Sequence, residues 1–190
     1  MNAMGAPVRE VALTYEDYVE LPNDGKRYEI LDGELFVTPA PSTRHQKVLG
    51  NLFLQLAIYV RQRELGEVLL APCDVLLAVH DIVQPDLLFV AREHAERIEA
   101  ANVKGAPDLL VEVLSPTTRR IDERTKRDRY RATGVAEYWL VDAEFETIKV
   151  YRWAGESGRV EPELYELERG DLLTTPLLPG LELPLRAVFE

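Results

Sequence analysis

Two apolar runs of this chain each carry one acidic residue that could do chemistry. The first is Val83-Gln84-Pro85-Asp86-Leu87-Leu88-Phe89-Val90, and the second is Pro107-Asp108-Leu109-Leu110-Val111-Glu112-Val113-Leu114. Each has the length of a strand and is apolar at successive positions, the pattern of a strand covered on both faces. A carboxylate inside such a strand is costly unless it is paired, hydrogen-bonded or bound to a cation. Two such acids, Asp86 and Glu112, on strands expected to be neighbours, with Lys126 on the helix that follows, point to a divalent-metal site. The plainer alternative is a pair of buried carboxylates bonded to arginine.

A hard cation such as Mg²⁺ or Mn²⁺ takes oxygen ligands and keeps several waters, so one or two carboxylates suffice. Asp86 and Glu112 would supply them, with the Val113 backbone carbonyl as a third oxygen. Such a metal lowers the pKa of a bound water and neutralises charge building on a phosphoryl oxygen. A lysine beside it can orient the water or stabilise the transition state. Side chains alternate along a strand, so Leu114 shares the face of Glu112 and leaves that place without a polar group. The lysine must come from elsewhere. Asp122, Lys126 and Tyr130 are spaced by four and share one helix face, and if that face packs over the sheet, Lys126 points at the acids. Asp122 and Tyr130 then position it, although an ordinary helix ion pair explains Asp122 equally well.

The elements that must hold these residues follow from periodicity and punctuation. Thr14 to Leu21 reads as a short helix with Thr14 as N-cap and Asp17 completing a capping box. Arg27 to Val37 reads as a hairpin turning at Asp32-Gly33. Ser42 or Thr43 caps a long helix to about Glu64, whose Val48, Leu49, Leu52, Phe53, Leu56, Ala57 and Val60 make a wide apolar face. A strand from Val68 to Val79 comes next, then the first acid-bearing strand, an amphipathic segment from Arg92 to Ala101, and the second acid-bearing strand. A basic helix ends at Gly134, and Glu137–Asp142 with Thr147–Trp153 forms another hairpin. One more strand is expected near Leu164 to Leu167. The order implies an α/β (α+β) mixed β-sheet flanked by helices, organised as one domain over residues 1–190.

The totals agree with a globular chain. Hydrophobic residues make up 46% and charged residues 29% of its 190 residues, which places it far from disorder. A single cysteine, Cys73, excludes an internal disulfide and, with three histidines, any zinc-finger spacing. No long apolar run and no signal region are present, so a cytoplasmic protein with no membrane partner is expected; Met4 offers an alternative start. The formal net charge of -11 opposes general affinity for nucleic acid. Between Arg119 and Arg131, however, seven basic residues face three acidic ones, a local ridge that could meet a polyanion, a second subunit or only water.

The same stretches carry a family resemblance. Arg27 to Leu35 (RYEILDGEL), Arg44-His45-Gln46, VQPDLLFV, APDLLVEVLSPTT and DERTKRDRYRATGVAEYWLVD occur in the order found in the Uma-type restriction-endonuclease-like family, within the PD-(D/E)XK nuclease superfamily. The resemblance covers about Arg27 to Phe189. It implies a restriction-endonuclease-like fold with an αβββαβ core behind an N-terminal hairpin, a Mg²⁺- or Mn²⁺-dependent endonuclease activity, and DNA as substrate and partner. Asp86 matches the acid of the PD element and Glu112 that of the (D/E)XK element. Leu114 stands where that element has lysine, so the resemblance points to Lys126 as the displaced lysine. It also suggests Glu34 as a further catalytic acid and a homodimer for cutting two strands. A fold does not establish an activity, so a catalytically inactive module binding nucleic acid or protein is the alternative, and a hydrolase of a smaller phosphorylated substrate a third.

Four lesser candidates complete the set. His45 lies on the apolar face of the long helix, where a histidine is more often a satisfied buried residue, and Gln46 is weaker. Asp74 could join the acids from the preceding strand, and Asp108 suits backbone capping at a strand start.

Overall fold

The computed structural model describes residues 12–153 and 162–190 of the chain, and Met4 lies outside them. Helix α1 (Tyr15–Val19) starts where the Thr14 N–H donates to the Asp17 carboxylate at 2.8 Å, the pairing expected of those two residues. Strands β1 (Arg27–Leu31) and β2 (Glu34–Thr38) form the expected hairpin. Asp32 and Gly33 both take positive φ (53° and 81°), which a tight turn between right-twisted strands requires. Helix α2 (Thr43–Arg63) begins at Ser42, whose Oγ accepts the His45 N–H at 3.1 Å. It buries Val48, Leu49, Leu52, Leu56 and Val60, the stripe its spacing dictates.

Beyond α2 the structure departs from the sequence reading in three places. The strand expected from Val68 to Val79 is two strands, β3 (Gly66–Leu70) and β4 (Asp74–Ala78), which join different sheets. Pro72 sits at the break, where a residue without an N–H cannot continue a ladder. The run Val83–Val90 divides in the same way into β5 (Asp81–Val83) and β6 (Leu87–Ala91), with Gln84-Pro85-Asp86 between them. The amphipathic segment read from Arg92 to Ala101 is regular only over Arg92–Arg97, a 3₁₀ turn kinked at His94.

Strands β7 (Asn102–Lys104) and β8 (Leu109–Val113) follow. A π-helical segment, Ile121–Lys126, then leads into helix α3 (Arg127–Thr133), which stops at Gly134 with φ 90°. The last elements are β9 (Glu137–Asp142), β10 (Thr147–Arg152), β11 (Glu163–Glu166), β12 (Leu172–Leu173), β13 (Leu183–Pro184) and α4 (Arg186–Phe189).

The main sheet runs β11-β10-β9-β8-β6-β3, and a second runs β2-β1-β5-β4-β7. Within the main sheet β8 and β9 are parallel, joined through the π-helical segment and α3, and the other pairs are antiparallel. Alternation divides its side chains between two cores. Leu87, Phe89, Leu109, Val111, Val113, Trp139 and Val141 pack with α2, α4 and the C-terminal segment. Leu88, Val90, Leu110, Leu114, Tyr138 and Leu140 pack on the other face with Leu31, Val75, Val83 and Tyr130. Both faces of β6, β8 and β9 are therefore covered, which is why those strands read as continuous apolar runs. Glu112 has the parity of Leu110 and Leu114, so it enters the second core.

Candidate active site

Asp86 owes its position to Pro85. The β6–β8 register pairs Leu87 with Val111, and two residues further it would set Val113 opposite Pro85. The ladder ends there and the Val113 N–H donates to Oδ2 of Asp86 at 2.9 Å. His45 Nε2 reaches the same oxygen at 3.0 Å, and Arg27 Nη1 donates to Oδ1 at 3.2 Å. Burial alone would raise the pKa of this carboxyl, but the His45 bond, the Arg27 charge and the Val113 N–H together hold it below the usual range.

Glu112 stands on β8 under the basic helix. Its Oε1 accepts from Lys126 Nζ and from the Tyr130 hydroxyl, both at 2.9 Å. Burial pushes its pKa up to about 8, with the charges of Asp86, Asp122 and Glu29 adding to the rise and Lys126 opposing it. The same burial lifts the Tyr130 hydroxyl well above its ordinary value, with the Glu112 charge next in size.

Lys126 is only 3% exposed and sits among three acids. Its Nζ lies 2.9 Å from Oε1 of Glu112, 2.9 Å from Oε1 of Glu29 and 3.6 Å from Oδ1 of Asp122. Burial works against its charge, but these carboxylates outweigh it and keep the ammonium protonated. The π-helical turn carries both Asp122 and Lys126 inward. Such wide turns are rare and recur at functional positions.

Glu29 was not singled out from the sequence, yet it is 3% exposed at the centre of the cluster. Besides Lys126, its Oε1 accepts the Gln84 N–H at 2.8 Å. Arg27 and Glu29 are two apart on β1 and so share a face. One strand thus sends a cation to Asp86 and an anion to Lys126. The available signal was that parity, a charged pair alternating with apolar residues in a strand.

Asp86, Glu112, Asp122, Lys126 and Arg27 line one cavity of about 330 Å³, walled by Thr38–Ser42 and His45 on one side and by Val113–Thr118 on the other. Asp86, Glu112 and Lys126, chosen from separate stretches of sequence, are thereby brought together. Val113 also lines the cavity, with its N–H engaged by Asp86.

Glu34 is not there, and that expectation is corrected. It pairs with Leu31 at the turn end of the hairpin and is exposed, because the site gathers at the opposite end of β1. His45 is buried and bonded, as read, but its partner is Asp86. Gln46 is exposed. Asp74 accepts from Tyr18 and Gln84 outside this cavity, both at 2.7 Å. Asp108 accepts the Ala91 N–H at 2.7 Å and bonds His94 at 2.8 Å, the capping task expected of it.

Residues 15–186, nearly the whole described chain, match the family described as "Uma2: Putative restriction endonuclease". The chain belongs to the Uma2 family. A crystal structure titled as a "putative nuclease belonging to DUF820" from Anabaena variabilis superimposes with a TM-score of 0.76 at 21% identity, covering 93% of this chain and 97% of that one. At that identity the likeness speaks for the fold, which is the restriction-endonuclease-like mixed α+β arrangement expected. No curated protein matches the chain.

Among the described residues of this Uma2 chain, no three or more His, Cys, Asp or Glu side chains form a ready-made metal shell. Three carboxylates line the cavity, and Asp122 stands 3.6 Å from Lys126. Asp86 and Glu112 are the two hard donors assigned to the ion, a set that suits a cation keeping most of its waters. Lys126 and Tyr130 both bond Oε1 of Glu112, so Oε2 is the oxygen left for such an ion. Asp86 has a single bond on Oδ1, and one lone pair there remains. The donor set fits Mg²⁺ or Mn²⁺ by type and number.

Proposed function

We propose that this protein hydrolyses phosphodiester bonds of DNA with the help of Mg²⁺ or Mn²⁺. The observation that carries the reading is the meeting of two buried carboxylates, Asp86 just before β6 and Glu112 on β8, with a buried lysine at one cavity. Asp86 and Glu112 would hold the ion, which when bound supplies an acidified water and positive charge for the phosphoryl oxygens. Lys126 fixes Glu112 through Oε1 and brings its ammonium to the cavity, where it can orient the attacking water or stabilise the negative oxygens of the pentavalent transition state. Asp122 and Glu29 hold that ammonium charged and in place, and Tyr130 fixes Glu112 from the other side. Leu114 is apolar packing in the second core, so the lysine's arrival from the helix supplies what the strand lacks.

A second reading has its own observation. Both oxygens of Asp86 and one of Glu112 are already engaged by the protein's own donors, as they would be in a module that kept the fold and lost the metal. Calorimetric titration with Mn²⁺ separates the two. The wild type should bind, and Asp86→Ala/Glu112→Ala should not. Supercoiled plasmid should be nicked only with Mg²⁺ or Mn²⁺ and only by the wild type. Equal Mn²⁺ isotherms, or DNA binding that persists in EDTA and in Asp86→Ala without any nicking, would transfer the conclusion to the binding module. Among the described residues no helix is long and apolar enough to cross a membrane.

A further inference from the structure

We propose that Arg27 is the phosphate-binding residue of this site and that, without metal, it is parked on Asp86 as a substitute cation. The inference rests on the reading of Asp86 and Glu112 as metal holders. Arg27 donates through Nη1 to Oδ1 of Asp86 and through Nη2 to the Gln84 carbonyl, while its Nε is buried with no hydrogen-bond partner. A guanidinium with five donors, one of them buried without a partner, is not used up by these contacts. Both cations line the cavity, but the Arg27 side chain keeps 20% exposure whereas that of Lys126, at 4%, is held by three acids. Of the two cations at the acids, Arg27 is the one with room to turn.

The geometry sets Arg27 and a metal against each other. Oδ2 of Asp86 has both lone pairs filled, by His45 and by the Val113 N–H. An arriving cation must use Oδ1, beside the guanidinium, and two positive groups on one oxygen repel. Release from Asp86 leaves a planar fork at the cavity, the shape that pairs two-to-two with phosphate oxygens. The anion that recognises it is a phosphodiester beside the metal, so metal and phosphate would each favour the open arrangement of Arg27.

The test uses the full-length protein and three variants, Arg27→Gln, Arg27→Lys and Lys26→Gln. Lys26 is an exposed neighbour paired with Asp24, so its replacement removes the same charge without touching the site. Calorimetry with Mn²⁺ alone should show Arg27→Gln binding on the order of 10-fold more tightly than wild type, because the competitor is gone. Lys26→Gln should change affinity less than about twofold, as a screened surface charge does. Fluorescence anisotropy with a labelled 16-base-pair duplex in Ca²⁺ should show Arg27→Gln binding roughly 10-fold more weakly, with Arg27→Lys in between. Circular dichroism establishes that each variant is folded, and Arg27→Lys carries the comparison if Arg27→Gln is not.

Unchanged or weaker Mn²⁺ binding by Arg27→Gln, beside normal binding by wild type, would overturn the role of Arg27 alone. So would an equal effect from Lys26→Gln. No Mn²⁺ binding by any form would overturn it together with the metal site.

Discussion

Replacing Lys126 with Met tests how far the site depends on its buried cation. Met keeps most of the aliphatic length of lysine and removes the charge. Glu29, Glu112 and Asp122, at 3%, 3% and 2% exposure, then face one another without the ammonium that lies within 3.6 Å of each. Removing one partner of a buried ion pair costs about 3–5 kcal/mol, because the remaining charge is left unsolvated and uncompensated. The cost should depend on pH in a defined direction. Lys126 is the main influence holding down the Glu112 pKa, which burial already pushes to about 8. Without Lys126 the carboxyl takes up a proton even more readily in the folded state. Protonation relieves the repulsion. Below about pH 7 Glu112 holds its proton in both forms, and its share of the penalty is constant. Above about pH 8 the wild type gives the proton up while the variant keeps it, so the penalty grows with pH there by up to about 1.4 kcal/mol per pH unit.

Urea unfolding in EDTA between pH 6 and 9.5, followed by the fluorescence of the fully buried Trp139, reads both the size and the slope. Adding Glu29→Gln and Glu112→Gln to Lys126→Met should recover most of the loss, since a neutral polar cluster has no charge left to bury. A loss below about 1 kcal/mol, or one that does not grow between pH 7 and pH 9.5, would refute the account of Lys126 as the neutraliser of a buried acidic cluster.

Two further outcomes follow from the same geometry. In the metal-free wild type, the raised pKa of Glu112 contributes stability that is complete below the ordinary carboxyl range and is lost as pH rises toward 8. Stability should therefore fall from pH 5 to pH 8, and Glu112→Gln should flatten that slope; an equally steep slope in the variant would assign the effect to another group. Gly66 has φ 152°, and a Cβ on it would stand 2.1 Å from the Val90 carbonyl oxygen in the neighbouring strand β6. Gly66→Ala should lower stability by roughly 2 kcal/mol or more by prying β3 from β6, and a change under about 0.5 kcal/mol in urea unfolding would refute the close approach.

What could be read in the sequence divides by the range of the interaction involved. The turn at Asp32-Gly33, the cap at Ser42 and the stop at Gly134 are set by neighbours a few residues away, and they lie where local chemistry put them. Asp86 and Glu112 were legible because a charge inside an apolar run is anomalous whatever surrounds it. The two broken strands were missed because apolar character continues through Pro72 and Pro85 while the ladder does not. Glu34 drew attention by its place after a turn, and Glu29 drew none. Both lie in the same hairpin, and only the pairing of β1 with β5, with β6 and β8 beyond, decides which end of it meets the acids.

The displaced lysine makes sense in terms of charge and direction. Four buried carboxylates, Asp86, Glu112, Glu29 and Asp122, face two cations, Arg27 and Lys126, which leaves an excess of two negative charges when all are ionised. That excess suits a divalent ion, and without one the rise in the Glu112 pKa lets a proton take part of its place. A lysine at position 114 would approach Glu112 along its own strand. Lys126 instead approaches from the helix above and binds Oε1 together with Tyr130, so Oε2 is left toward the cavity. Glu29 and Asp122 are the consequence of that route. An ammonium brought through a core of Tyr130, Tyr138 and Leu140 needs its own counter-charges on the way, whereas one standing on the strand beside its acid needs no others.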